Sequence, residues 1–340
     1  MKPEKNQIQL PSLSFLRGKK LVVAVSGGMD SMALLVLLVN QMPQAQRRLM
    51  VGHVNYGLRG KASDQDEQFV RTYCRTYKIQ FRTLRLKQKK EAIEKKSFQD
   101  WARQYRYQWF QKIVQQEQAW GVAVAHHQND QIETILDHLL RGAGPKGLSG
   151  IRNVLTLRLK QNGARLKIWR PLLQIKKKEL EHFLQNCGIL WREDHSNATN
   201  VYRRNRIRNQ LLPFLKKWNP NIETVLLRMA DVVSVEDEWM TQQTEQCSKN
   251  LKGHWTSHAY QCLAPNWLGM HRALQRRWIR RVIERLTQQP CGLSLDRIDE
   301  ACQVWNGQLN GPRDLGHQLT VARHVNKCIL TWNENYKKNC

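Results

Sequence analysis

The sequence predicts an α/β protein, a doubly wound and mainly parallel sheet followed by a mainly helical second domain. Three observations lead there. Short apolar, β-branched runs alternate with helical patterns over the first 140 residues; the first run stops at the cluster Ser26-Gly-Gly-Met-Asp30-Ser31; and after Asn219-Pro220 long helical stretches dominate. Strand-helix alternation implies right-handed crossovers and a parallel sheet with helices on both faces. At 340 residues the chain exceeds what a single core usually holds, so two domains are expected, 15–218 and 219–340.

Strand candidates fall at 20–25, 49–55, 79–86 and 121–125, and helical patterns at 31–40, 63–77, 97–117 and 129–141. Residues 22–25 read as a buried parallel strand because such strands run continuously apolar. The cluster that follows is then a strand-to-helix turn, since 32–39 continue apolar at helical length. Beyond Gly150 come strand-like pieces at 154–159 and 166–169, a helix at 176–186 and another over 204–218 that ends at Asn219-Pro220. The second domain is expected to hold helices at 221–247, 265–288 and 294–305, and to close with a hairpin of 319–323 and 328–332. Ligands of doubly wound sheets sit beyond the carboxyl ends of the strands, which sets Ser26, His53 and His126 along one rim.

Composition narrows the class. The formal charge of +27 points to a polyanionic partner, and the excess is concentrated: residues 141–218 carry 18 Lys/Arg against 4 Asp/Glu. No apolar run reaches the length of a membrane span, so no membrane partner is expected. The eight cysteines form no C-x-x-C pair and no signal peptide precedes them, so they read as reduced thiols of a cytoplasmic protein.

The candidate chemistry begins at Ser26, Gly27, Gly28, Met29, Asp30 and Ser31. Neither G-x-x-x-x-G-K-[ST] nor G-x-G-x-x-G follows the first strand. Glycines at this turn let backbone N–H groups approach an anion, and the helix N-terminus behind them adds partial positive charge. Asp30 is a candidate Mg²⁺ contact. The loop resembles the S-G-G-x-D-S loop of the ATP pyrophosphatases, which cleave ATP between the α and β phosphates. His53 and Asn55 follow the second strand, where such a fold meets base and ribose; an ordinary polar loop is the alternative. Next, Asp130 and Glu133 are three apart and share a helix face just after His126. That set reads as a metal site, a capped helix start, or a pair of acids for a cationic amine. The glycine-rich stretch with Arg141 and Lys146 reads as a mobile segment near phosphate or a plain connector. In the run Arg203, Arg204, Arg206, Arg208, positions 204 and 208 lie one turn apart if helical and can clamp phosphates. Arg276, Arg277, Arg280 and Arg281 form a second basic helix, either an RNA contact or a solvated face.

In order, residues 26–31, 53–59, Ala102-Arg103 with Arg106-Tyr107, 126–133, 141–150, Arg170-Pro171-Leu172, 193–197 and 204–208 with Leu212-Pro213 resemble the tRNA(Ile)-lysidine synthetase family. The resemblance covers roughly 20–215 and extends more loosely through 274–332. The additional C-terminal domain of longer members is expected to be absent, and Tyr56 stands where the family often has His. The resemblance implies a Rossmann-like ATP pyrophosphatase domain with ATP and Mg²⁺ as cofactors. The implied partners are free L-lysine and tRNA(Ile) with a CAU anticodon, and a homodimer is plausible by the same likeness. It further implies that Asp30, Arg106, His126 and Arg208 serve catalysis. Ser26, Gly27, Gly28, Met29, Asp30, Ser31, His53 and Asn55 would bind ATP, and Asp130 and Glu133 the lysine amine. Arg141, Lys146, Arg203, Arg204, Arg206, Arg276, Arg277, Arg280 and Arg281 would contact tRNA. The alternatives are a tRNA 2-thiolation enzyme, which needs paired cysteines this sequence lacks, or a non-catalytic RNA-binding protein, which has no use for the loop.

Overall fold

A computed structural model describes residues 8–58, 60–86, 98–159, 163–192 and 203–333. Arg59 and residues 193–197 of the family blocks lie outside them. The chain forms two compact units, Met1–Asp231 and Val232–Cys340. In the first unit, β1 (Leu21–Ala24), β2 (Leu49–Asn55), β3 (Gln80–Arg85), β4 (Val122–Ala123), β5 (Val154–Arg158) and β6 (Arg165–Trp169) pair in the order β3-β2-β1-β4-β6-β5. All contacts are parallel except β5 with β6 at the edge. The helices of this unit are α1 (Met29–Gln41), α2 (Ala45–Arg48), α3 (Lys61–Thr76), α4 (Phe98–Gln116), α5 (Gln128–Leu139), α6 (Pro145–Leu148), α7 (Lys177–Asn186), α8 (Arg203–Arg206) and α9 (Leu212–Trp218). Because β2 and β4 flank β1, the winding reverses there, and a crevice opens beyond the carboxyl ends of β1 and β4.

The period of two along each strand builds two cores. Leu21, Val23, Val25, Leu49 and Val51 face one way, packing with the wholly buried stretch Met32 to Leu38 of α1 and with α7 through Leu180 and Leu184. Val22, Met50 and Val122 face the other way onto Tyr107, Phe110 and Ile113 of α4. Fully burying each such side chain contributes about 1.5–3 kcal/mol, so α1 is held by packing. Gly52 lies on the α4 side, where an added Cβ would come 2.7 Å from the Phe110 ring; only glycine lets α4 lie this close beneath the crevice.

A third cluster joins α5 to the end of this unit. Ile132, Ile135 and Leu136 of α5 meet Ile207, Leu212, Leu226 and Ala230. Between α8 and α9 the chain takes a π-helical turn, Ile207–Leu211. Pro213, two residues past it, lacks an N–H and crowds the carbonyl one turn back, which is the setting in which a helix changes its hydrogen-bond period.

The helix α10 (Ile222–Asn250) contains the division between the units, since its first turns pack into that third cluster through Leu226 and Ala230. The second unit adds β7 (His254–Trp255), β8 (Ala259–Leu263), α11 (Ala264–Leu268), α12 (Arg272–Thr287), α13 (Leu295–Asn306), β9 (Arg313–Gly316), β10 (Leu319–His324) and β11 (Lys327–Trp332). The expected hairpin pairs Leu319 with Trp332, but it belongs to a five-stranded antiparallel sheet in the order β7-β8-β11-β10-β9. The stretch expected as one helix over 265–288 is two, parted at Gly269 to His271, where the His271 ring caps α12 by accepting the Ala273 N–H. Trp267, Trp278 and Trp305 fill the core beneath the sheet with Tyr260.

Candidate active site

The loop between β1 and α1 is organised by its own hydrogen bonds. Ser31 Oγ accepts the Ser26 N–H at 3.1 Å and donates to the Gly28 carbonyl at 2.8 Å, while Ser26 Oγ accepts the Gly28 N–H at 3.3 Å. Gly27 sits at φ +96°, a conformation that side chains strain against, and its open side faces Asp66 and Val70 of α3. No side chain caps α1, so the N–H groups of its first turn point outward unclaimed, as an anion site requires.

A cavity of about 760 Å³ opens in front of this loop, lined by Ser26, Gly28, Met29, Asp30 and Ser31, by Arg106 and Tyr107 of α4, and by His126 after β4. Its floor from β2 is Gly52, Val54 and Tyr56. His53 and Asn55 therefore point to the opposite face of β2, away from the loop's cavity. His53 is buried with Nδ1 2.9 Å from the Val25 carbonyl, and burial lowers its basicity. Asn55 donates to Asp64 and Glu67 of α3 and accepts the Gly57 N–H. Burial pushes Glu67 up, but hydrogen bonds from Arg85, Arg71 and Asn55 outweigh it and hold the carboxyl at about 2. His53 thus ties β2 to the end of β1 and Asn55 ties it to α3, and neither lines the cavity.

Asp30 Oδ1 is buried, makes no hydrogen bond, and lies 3.5 Å from His127 Nε2. His127 caps α5: its Nδ1 accepts the Asp130 N–H at 3.4 Å, while Asp130 Oδ2 accepts the His127 N–H at 2.9 Å. With Nδ1 accepting, the proton of a neutral ring rests on Nε2, toward Asp30. A single buried carboxylate oxygen beside a phosphate loop suits Mg²⁺, which takes one or two carboxylates and fills its octahedron with phosphate and water. His126 is driven down to about 4, first by burial and then by Arg170, Arg204 and Arg103, with Asp130 opposing; it is neutral at pH 7, and its Nδ1 is buried without a partner.

The acids of α5 are already engaged. Glu133, 1% exposed, receives Arg204 Nε at 2.8 Å and Arg208 Nε at 2.6 Å, and Arg204 Nη2 reaches Asp130 Oδ1 at 3.0 Å. Arg208 is opposed by burial, yet Glu133, Asp130 and Asp30 hold its proton more firmly than usual. Asp137, the next acid on this face, binds Arg203 at 2.7 Å and also Arg141. Arg206 is exposed with no ion pair among the described residues, and Lys146 is exposed on α6. In the second unit Arg276 pairs with Asp299, Arg277 with Asp237 at 2.7 Å and Arg281 with Glu245 at 2.6 Å; Arg280 has no ion pair among the described residues.

Sequence reasoning missed His127, Lys177, Glu181 and Arg192. The signal for His127 was present, a possible N-cap three residues before an acid. Lys177 and Glu181, one turn apart on α7, line the cavity with Trp191 and Arg192. The Arg192 N–H donates to the Gly27 carbonyl and its guanidinium to Asp66, tying this segment to the loop. Nothing local announced that contact.

A glycine turn gripping the N-terminus of a buried helix, at the point where a parallel sheet reverses its winding, defines a PP-loop nucleotide-binding domain. The PP-loop domain family model matches residues 3–215. Among curated relatives, a tRNA(Ile)-lysidine synthase of Geobacter sulfurreducens is 34% identical over 92% of this chain and 65% of its own length. One of Bacillus subtilis is 30% identical over 95% and 68%. The chain belongs to the tRNA(Ile)-lysidine synthase family of PP-loop proteins. It spans about two thirds of the length of these relatives. Among solved structures, a U34-tRNA thiolase of Methanococcus maripaludis matches with a TM-score of 0.50 and 18% identity over 64% of this chain and 73% of that one, a likeness of fold alone. Among the described residues no helix is long and apolar enough to cross a membrane.

Proposed function

We propose that the protein joins free L-lysine to carbon 2 of the wobble cytidine in the CAU anticodon of tRNA(Ile), turning ATP into AMP and pyrophosphate and changing codon reading from AUG to AUA. The observation that carries this reading is that the loop after β1 and the acidic helix after the adjacent strand β4 are linked through His127, whose ring lies 3.5 Å from Asp30 and 3.5 Å from Asp130, the acid that shares Arg204 with Glu133. The chemistry explains why both are needed. The carbonyl oxygen at carbon 2 of cytosine is a poor leaving group, so it first attacks the α-phosphorus of ATP and displaces pyrophosphate. The lysine ε-amine then attacks carbon 2 and AMP leaves with that oxygen.

In this scheme the N–H groups of the first turn of α1, the hydroxyls of Ser26 and Ser31, and Arg106 hold the phosphates and stabilise the charge that grows on departing pyrophosphate. Asp30 would hold Mg²⁺, which when bound neutralises part of that charge. His126 stays neutral and offers an unpartnered nitrogen to the reacting base, while Arg208, held on Glu133 from the π-helical turn, would bring positive charge to the reaction. Asp130 and Glu133 receive the amine. The basic residues of 141–208 and α12 supply the charge for tRNA. No cysteine lines the cavity among the described residues, which favours ligation over sulfur transfer.

Pyrophosphate release tests the reading. ATP and unmodified tRNA(Ile) transcript are expected to release at most one pyrophosphate per enzyme, and release in step with tRNA consumed is expected only when lysine is added. Release with ATP and a small amine but no RNA would point to another ligase of this fold.

A further inference from the structure

The proposed amine site is filled by the protein's own cations. Glu133 has both oxygens engaged, one by Arg204 and one by Arg208; Asp130 gives Oδ1 to Arg204 and Oδ2 to the His127 N–H. One guanidinium, that of Arg204, bridges the two acids that would have to receive lysine. It is also the more movable of the two, 47% exposed against 34% for Arg208. The neighbouring arginines repeat the arrangement: Arg203 and Arg141 share Asp137 one turn further along α5. Three of the four arginines of 203–208 are thus pinned to one acidic face of α5, Arg206 being the exception.

We infer that Arg204 is a latch on the amine site, released when RNA phosphate takes the guanidinium from Asp130 and Glu133. The inference rests on the assignment of those two acids to lysine. Arginine forks bind phosphate as readily as carboxylate; the Arg204 guanidinium is itself 47% exposed and within reach of a polyanion, and Glu133 keeps Arg208 when Arg204 leaves. Transfer of Arg204 to phosphate leaves two carboxylates with Arg208 as their remaining cation, a net negative site fitted to an ammonium. Lysine binding is thereby coupled to RNA binding, so the amino acid is admitted chiefly once its acceptor is in place. By linkage, lysine must tighten RNA binding by the same factor.

Equilibrium dialysis of radiolabelled lysine without ATP, with and without unmodified tRNA(Ile) transcript, reads the coupling while no chemistry turns over. The expected result is lysine binding on the order of tenfold tighter with RNA. Arg204→Gln, checked for an unchanged melting temperature, should bind lysine tightly without RNA and lose most of the RNA effect. Equal lysine affinity of the wild type with and without RNA overturns the latch, as does an Arg204→Gln variant that binds lysine no tighter than the wild type when RNA is absent. Asp130→Asn separates the two ideas. If it abolishes lysine binding under both conditions while RNA has no effect on the wild type, the amine site stands and the latch fails; if it binds lysine normally, the amine site itself is misassigned and the latch falls with it.

Discussion

Two arginine-rich segments, 203–208 and 276–281, look alike in sequence and differ in what their charges meet. In the first, Arg204 and Arg208 converge on Glu133 and Asp130 of α5, the helix whose cap His127 lies 3.5 Å from Asp30 of the loop. In the second, Arg277 answers Asp237, 2% exposed on α10, and Arg276 with Arg272 answers Asp299 on α13, so the pairs fasten one helix of the unit to two others. A run of positive charge is therefore no guide to role until its counter-ions are known. Glu133, 1% exposed, keeps Arg208 when Arg204 leaves, whereas Asp237, 2% exposed, loses its guanidinium with Arg277.

The sharpest way to break this contrast is through stability. Arg277→Ala takes the guanidinium away from the buried carboxylate of Asp237, and removing one partner of a buried pair costs up to about 3–5 kcal/mol; Arg204→Ala leaves Glu133 still paired with Arg208 and should cost less, about 1–2 kcal/mol. Denaturant unfolding of both variants checks this, and equal losses would erase the distinction. Asp130→Asn should lower lysine incorporation about 10- to 150-fold, the scale of a lost charged hydrogen bond, measured as lysine transferred to tRNA. A wild-type rate would move the amine site elsewhere.

Acid should find the first unit through Glu67. Its carboxyl titrates near 2 in the fold against an ordinary 4.5, so its contribution to stability is complete above pH 4.5 and is lost as pH falls toward 2. Glu67→Gln should flatten that part of the stability profile between pH 4.5 and 2; an unchanged slope would mean the Arg71 and Arg85 contacts do not act as drawn. Smallest of all, Arg280→Ala should leave the unfolding free energy within about 0.5 kcal/mol of wild type and reduce the salt slope of tRNA binding by about one counterion. An unchanged slope would remove α12 from the RNA surface.

Much of this was legible in the chain. The loop at 26–31 could be read because an apolar strand, a glycine turn and an apolar helix are adjacent in sequence, and its chemistry is local. The acids at 130 and 133 could be read as one helix face for the same reason. His53 and Asn55 were misjudged because β2 is buried on both faces, so its pattern does not say which parity meets the crevice; Gly52, Val54 and Tyr56 do. The second sheet was seen only as its terminal hairpin, since β8 finds β11 across three helices and two strands and β7 is two residues long. The engagement of 203–208 with α5 was also invisible, because ion pairs some seventy residues apart leave no periodic trace.

Everything in the mechanism turns on whether the loop after β1 makes an RNA base reactive toward lysine. Mass spectrometry of nucleosides from unmodified tRNA(Ile) incubated with the purified protein, ATP and lysine tests it directly. The account predicts that the wobble cytidine gains one lysine, with loss of its carbon-2 oxygen to AMP, and that the gain disappears when ATP is omitted. A wobble cytidine of unchanged mass with every reactant supplied would contradict it.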